Sequence, residues 1–254
     1  MSPGFALALG ALGLLIGLLV GTTSIGGVLL VPALVFIWAF DVHAAVATSM
    51  ASFMLGGLVA ALLYSRQGSI NWRAAAWLCG GAMPAAFVGT YAMAVIPTRP
   101  LELIVAALII AAGANALRPR KPDARAADRF PSGPLLVLTG GVTGFISALT
   151  GTGGPITLLP ILLWLRLPVL TAVGLSQAVV FPITLLASVG NFVDGRIDLT
   201  AAGVLAVALV AGIVVGARAA HAVSTGLLNR LVALVLVATG MLMAARVVYG
   251  WLGG

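Results

Sequence analysis

Two short stretches of this chain combine the residue types that could hold an anion. One is Gly21-Thr22-Thr23-Ser24-Ile25-Gly26-Gly27, and the other is Leu149-Thr150-Gly151-Thr152-Gly153-Gly154-Pro155. Each leads into an apolar segment of helical character, so the first N–H groups of that helix would face the stretch. Those groups and the helix dipole favour negative charge. Thr22, Thr23, Ser24, Thr150 and Thr152 add neutral hydroxyl donors that can follow an anion's oxygens. Gly26, Gly27, Gly151, Gly153 and Gly154 let the backbone come close to a ligand. Pro155 suits a first helical turn, where a missing N–H costs nothing. No lysine follows either glycine group, which excludes a phosphate-binding P-loop. Gly13, Gly17 and Gly21, like Gly140 and Gly144, are spaced as a helix-packing seam and are read as packing.

A second pair of stretches carries further candidates. Val42 to Phe53 places Thr48, Ser49 and Ser52 on one helical face, and its counterpart Val169 to Val180 carries Ser176 and Gln177. Two turns into a span, these groups could reach a ligand at the membrane midplane. A hydroxyl on a helix can instead bond back to its own helix or to a neighbour, and Ser52 is assigned to that role. Thr184 and Asn191 come after these as candidates.

The elements that must position these residues follow from composition. Of 254 residues, 61% are hydrophobic and 7% charged, with a mean hydropathy of +1.19. Soluble domains carry about a quarter charged residues, so this is an all-α integral membrane protein. Charges bound two long apolar runs, 1–40 and 130–165. As one straight helix the second run would reach about 54 Å, against a hydrocarbon core of about 30 Å. Each long run must therefore break or fold back, and the Gly/Thr stretches are where it does so. Six ordinary helices are predicted near 44–65, 72–96, 100–117, 168–190, 198–219 and 227–250. The start of the chain lacks a basic region and a small-residue cleavage site, so the first apolar run is expected to be retained.

The chain also repeats itself at an offset of half its length. Gly13, Gly17, Gly26 and Gly27 recur as Gly140, Gly144, Gly153 and Gly154, and Ser49 recurs as Ser176. Gly68, Gly89 and Gly113 recur as Gly195, Gly216 and Gly240. Residues 1–117 and 134–254 are then two transmembrane repeats joined by a basic linker, 118–133. Each repeat reads as a broken, re-entrant-like helix pair plus three transmembrane helices. With an odd number of crossings the second repeat enters from the opposite face, which gives an inverted topology like that of secondary transporters. Placing the linker in the cytoplasm puts all of the 13 basic residues inside except Arg99, Arg196 and Arg246, as the positive-inside rule expects.

Several function classes are excluded by what the chain contains. The basic residues sit in loops, which argues against nucleic acid. Cys79 is the only cysteine, so there is no internal disulfide. His43 and His221 fall at opposite membrane faces, so no metal pair forms, and no cofactor is expected. A serine-protease motif of the G-x-S-x-G kind is missing. No carboxylate falls in the middle of a span, so no proton relay or cation-coupling machinery is visible. An anion leaving a negative-inside cell needs no coupling ion, because about 2.3 kcal/mol per charge per 100 mV drives it. An anion channel remains the alternative to a carrier.

The chain resembles the TauE/SafE family, the sulfite exporters. The likeness rests on G-L-L-V-G-T-T-S-I-G-G-V-L-L-V-P at 17–32, H-A-A-V-A-T-S-M-A-S at 43–52, R-Q-G-S-I-N-W-R at 66–73 and G-x-x-x-A-L-T-G-T-G-G-P at 144–155. In the first break, Ser24-Ile25-Gly26-Gly27-Val28 departs from the family's more glycine-rich run. The resemblance implies a multi-pass transporter in the cytoplasmic (inner) membrane of a bacterium. Its cargo would be a small sulfur oxyanion or an organosulfonate, and its surroundings the lipid bilayer.

Overall fold

The structure, a computed structural model, describes residues 3–23, 26–66, 68–117, 131–219 and 225–252. Among these residues the chain is helical throughout. The first half comprises α1 (Pro3–Thr23), a 3-10 turn (Gly26–Leu29), α2 (Leu30–Trp38), α3 (Val42–Arg66), α4 (Trp72–Val95) and α5 (Thr98–Leu117). The second comprises α6 (Gly133–Thr150), α7 (Pro155–Trp164), α8 (Val169–Val193), α9 (Leu199–Ala219) and α10 (Thr225–Leu252). Eight of the helices are long and apolar enough to cross a membrane, while α2 and α7 are too short.

The two long apolar runs break where the glycines predicted. The first breaks between α1 and the 3-10 turn, and the second between Thr150 and Pro155. The first run folds back on itself. Trp38, at the end of α2, meets Phe5, at the start of α1, edge to face with ring centroids 6.1 Å apart. Most of the 118–133 linker lies outside the described residues, and its last residue, Gly133, already begins α6.

Packing pairs helices across the halves. Gly17 of α1 lies against the Leu209 backbone of α9, and Gly144 of α6 against the Ala82 backbone of α4. The second contact repeats the first at the equivalent positions, with the halves exchanged. Likewise Gly113 of α5 meets Ala233 of α10, and Gly240 of α10 meets Ala106 of α5. Small residues let such backbones approach closely in an apolar medium, where hydrophobicity does not drive association between helices.

Counterpart helices run antiparallel. On α3 and the loop after it, Thr48, Gly57 and Ser69 meet Asp198, Val180 and Gly174 in turn. The loops echo each other as well. The described non-glycine residues with positive φ are Ala39 (54°) and Arg166 (62°), which end α2 and α7 and occupy equivalent positions in the two halves. Asn71 caps α4 by accepting from the Ala74 N–H at 3.0 Å. Its counterpart Asp198 caps α9 by accepting from Thr200 and Ala201 at 3.0 and 2.9 Å.

Candidate functional site

The second break is built by three left-handed glycines. Gly151 (φ 71°) closes α6 by donating its N–H to the Ser147 carbonyl at 2.9 Å. After Thr152, Gly153 (75°) and Gly154 (117°) reverse the chain, and the Gly154 carbonyl starts α7 by accepting from Thr157 and Leu158, both at 3.1 Å. A side chain at φ 117° is strained, so glycine is required there. The N–H groups of Thr152, Gly153, Gly154 and Ile156 donate to no backbone carbonyl among the described residues. They are the orphan donors of a helix start, buried at a place with no side-chain cap.

The first break is tighter. A Cβ on Gly26 would collide with Leu19 on the last turns of α1, so the chain doubles back with no room to spare. A Cβ on Gly27 would lie 3.0 Å from the tip of the Phe53 ring and 3.7 Å from the Thr152 carbonyl oxygen. The two breaks therefore meet, Gly27 beside Thr152. Between them lies a cavity bordered by Gly27, Val28, Phe53, Thr152, Gly153 and Gln177. Its free space is about 20 Å³, room for about one water. An oxyanion of several heavy atoms enters only if the breaks move apart.

The structure sorts the hydroxyls predicted as ligands into two groups. Thr22 donates to the Leu18 carbonyl of its own helix at 2.8 Å. Ser176 donates to Ala172 at 2.7 Å, and Thr150 to Ile146 at 2.8 Å. Thr48, fully buried, accepts from the Asp198 N–H at 3.2 Å. Thr152 sits at the meeting point, 3.2 Å from the Thr150 hydroxyl. Gln177 borders the cavity. Ser49 is fully buried and its hydroxyl has no partner. It lies between Val46, which packs on Gly151, and Phe53, which packs on Gly27 and Gly153, on one face of α3. Ser24 and the Thr23 side chain lie outside the described residues. Ser52 bonds back to Thr48 at 2.7 Å, as expected.

Two residues that the sequence did not single out stand on the far side of Gly154. A Cβ there would lie 3.8 Å from both the Ser147 hydroxyl and a methyl of Thr143, and 3.4 Å from Ile183. Both Thr143 and Ser147 are fully buried, and neither hydroxyl has a partner. The signal was present as Thr139, Thr143 and Ser147, polar residues every four positions along an apolar helix.

Eight apolar spanning helices around two facing helix breaks define a multi-pass membrane protein of transporter type. Residues 9–243 match the family described as Sulfite exporter TauE/SafE, and the chain belongs to that family. It is 29% identical over 189 residues to the probable membrane transporter protein MJ0441 of Methanocaldococcus jannaschii, covering 72% of this chain and 69% of that one. It is 31% identical over 103 residues to the probable membrane transporter protein YjnA of Bacillus subtilis, covering 40% and 41% of the two chains. No solved structure matches it significantly. The family resemblance read from the sequence is borne out, as is the all-helical membrane fold.

Proposed function

We propose that this protein carries a small sulfur oxyanion or organosulfonate across the cytoplasmic membrane of a bacterium, most simply as an exporter. The reading is carried by one observation: the two breaks meet at Gly27 and Thr152, where the N–H groups of Thr152, Gly153 and Gly154 lack backbone partners among the described residues. Buried N–H donors at a helix start suit a ligand whose charge is spread over several oxygens. Thr152, Gln177 and Ser49 supply the side chains around them. The description of the family as sulfite exporters supports the cargo.

The two repeats are inverted and rock against one another around this site. Contacts that recur at equivalent positions with the halves exchanged, and counterpart helices that run antiparallel, support that arrangement. Such a relation offers alternating access, since either half can hinge while the breaks stay at its centre. The basic linker lies in the cytoplasm. At the other end, Arg246 sits over Phe36, 5.8 Å from the ring centroid, and the His43 ring lies 2.9 Å from the Ile96 carbonyl oxygen.

Flux into and out of proteoliposomes under a potassium-valinomycin potential tests the reading. The panel is sulfite, thiosulfate, sulfate, a sulfonate and chloride. Saturable flux of one sulfur oxyanion that follows the potential is expected. Flux of chloride without saturation would make the protein a channel, and no flux of any member would overturn the cargo.

A further inference from the structure

Hydroxyls on the spanning helices fall into two sets. Thr22, Ser52, Thr90, Thr139, Thr150, Ser176, Thr184 and Thr239 each donate to a carbonyl four residues back. That bond is the default for a hydroxyl in an apolar medium, where nothing else is on offer. Ser49 of α3, beside the second break, and Thr143, Ser147 and Ser188 do not make it, although each is at least nine-tenths buried. Asn191, fully buried, has neither its amide nitrogen nor its oxygen bonded. Leaving such groups dry is costly, which suits them to a polar occupant.

These groups lie in sequence along the second half. Thr143 and Ser147, one turn apart on α6, both approach Gly154 and do not line the cavity. Ile183 of α8 packs on the same glycine, and Ser188 and Asn191 lie five and eight residues further along α8. Where α8 ends, the Arg196 N–H donates to the Asn191 carbonyl at 3.1 Å. The Arg196 guanidinium stands at this end with Nη1 buried and without a hydrogen bond. The Asp194 carboxylate forms an ion pair with this guanidinium, 3.2 Å from Nη1. Asp198 turns its carboxylate to the start of α9.

The first half carries Ser49 but has no polar series equivalent to this one. The matching positions there are Ile16, Val20, Ala61 and Tyr64, and the counterpart of Arg196 is Ser69. We infer that Asn191, Ser188, Ser147 and Thr143 form a one-sided polar route by which an anion passes between the 194–198 end of the molecule and the second break. The inference rests on the anion-carrier reading and gives its site a direction of access. Hydroxyl and amide donors along the way can follow an anion's oxygens. The N–H groups of the break lie at the far end of the route.

Cysteine accessibility tests it without relying on flux. In a Cys79→Ser background, Ser188→Cys, Asn191→Cys and Ala61→Cys are placed in proteoliposomes. They are treated with a membrane-impermeant alkylsulfonate methanethiosulfonate, itself a sulfonate anion, with Asp194→Cys as the exposed reference. Ser188→Cys and Asn191→Cys are expected to react on the order of tenfold faster than Ala61→Cys, the counterpart of Ser188. Excess 2-hydroxyethanesulfonate is expected to slow them and to leave Asp194→Cys unchanged. The variants Asn191→Leu and Ser147→Ala, checked for intact folding by gel filtration, are expected to lower anion flux about tenfold.

If Asp194→Cys reacts while Ser188→Cys and Asn191→Cys do not, the route is closed and the inference is wrong. If both react without protection and Asn191→Leu carries parental flux, the groups are merely hydrated, and the inference again fails. Should the parent move no sulfur anion, the cargo reading falls. Labelling with protection by the sulfonate would still support a route for anions.

Discussion

The two breaks began from similar residue types and ended as different devices. The first is a tight reversal in which Gly26 and Gly27 serve close approach to Leu19 and Phe53, with no positive φ at either. Its Thr22 hydroxyl is returned to its own helix. The second uses left-handed glycines at 151, 153 and 154, has N–H groups without a backbone partner among the described residues, and stands near Ser49, Thr143 and Ser147. Two elements at equivalent places in the fold have their polar groups committed differently. The lesson is that symmetry of packing does not impose symmetry of binding.

Substituting the glycines should separate the two breaks most sharply. Gly154→Ala, at φ 117°, should lose about 1–3 kcal/mol of stability and nearly all transport. Gly27→Ala should do less, because the added Cβ meets only the end of the Phe53 ring. Thermal unfolding in detergent and liposome flux read the two effects. Equal losses would erase the proposed difference between the breaks.

Hydroxyl removal is the finer probe. Thr152→Val should weaken anion binding about tenfold, on the order of 1.4 kcal/mol, while Thr22→Val should stay within about twofold of the parent. Equilibrium binding of a radiolabelled sulfur oxyanion measures both. If Thr22→Val matches Thr152→Val, the first break contributes a ligand and its observed bond to Leu18 is given up on binding.

The smallest effect concerns the caps of the counterpart helices. Asn71→Ala should cost about 1 kcal/mol as the loss of one helix cap. Asp198→Ala should cost more, since its carboxylate accepts from two N–H groups where Asn71 accepts from one. A lower melting temperature for Asp198→Ala than for Asn71→Ala would sharpen the comparison of the halves.

Much of the fold was legible in the chain. The α3 to α5 helices expected near 44–65, 72–96 and 100–117 appear as Val42–Arg66, Trp72–Val95 and Thr98–Leu117. Both breaks fell at the Gly/Thr stretches. These are local properties: hydrophobic length decides a span, and glycine decides where a long run can turn. The candidate site was legible only in part. Gly27, Thr152, Gly153 and Gln177 come together around one cavity, as the repeat suggested. Thr48 is instead held by the loop before α9, and Ser147 had drawn no attention.

Sequence by itself determined the membrane class and the positions of the breaks, because each rests on composition or on the conformational freedom of single residues. Tertiary structure alone decided which hydroxyls are free. A helical Thr or Ser has its own carbonyl four residues back always within reach, and only the neighbouring helix determines whether it takes it. Thr143, Ser147 and Thr150 lie on one helix, yet the sequence singled out only Thr150. The packing of Gly154 and α8 against that helix is what sets the first two apart from the third.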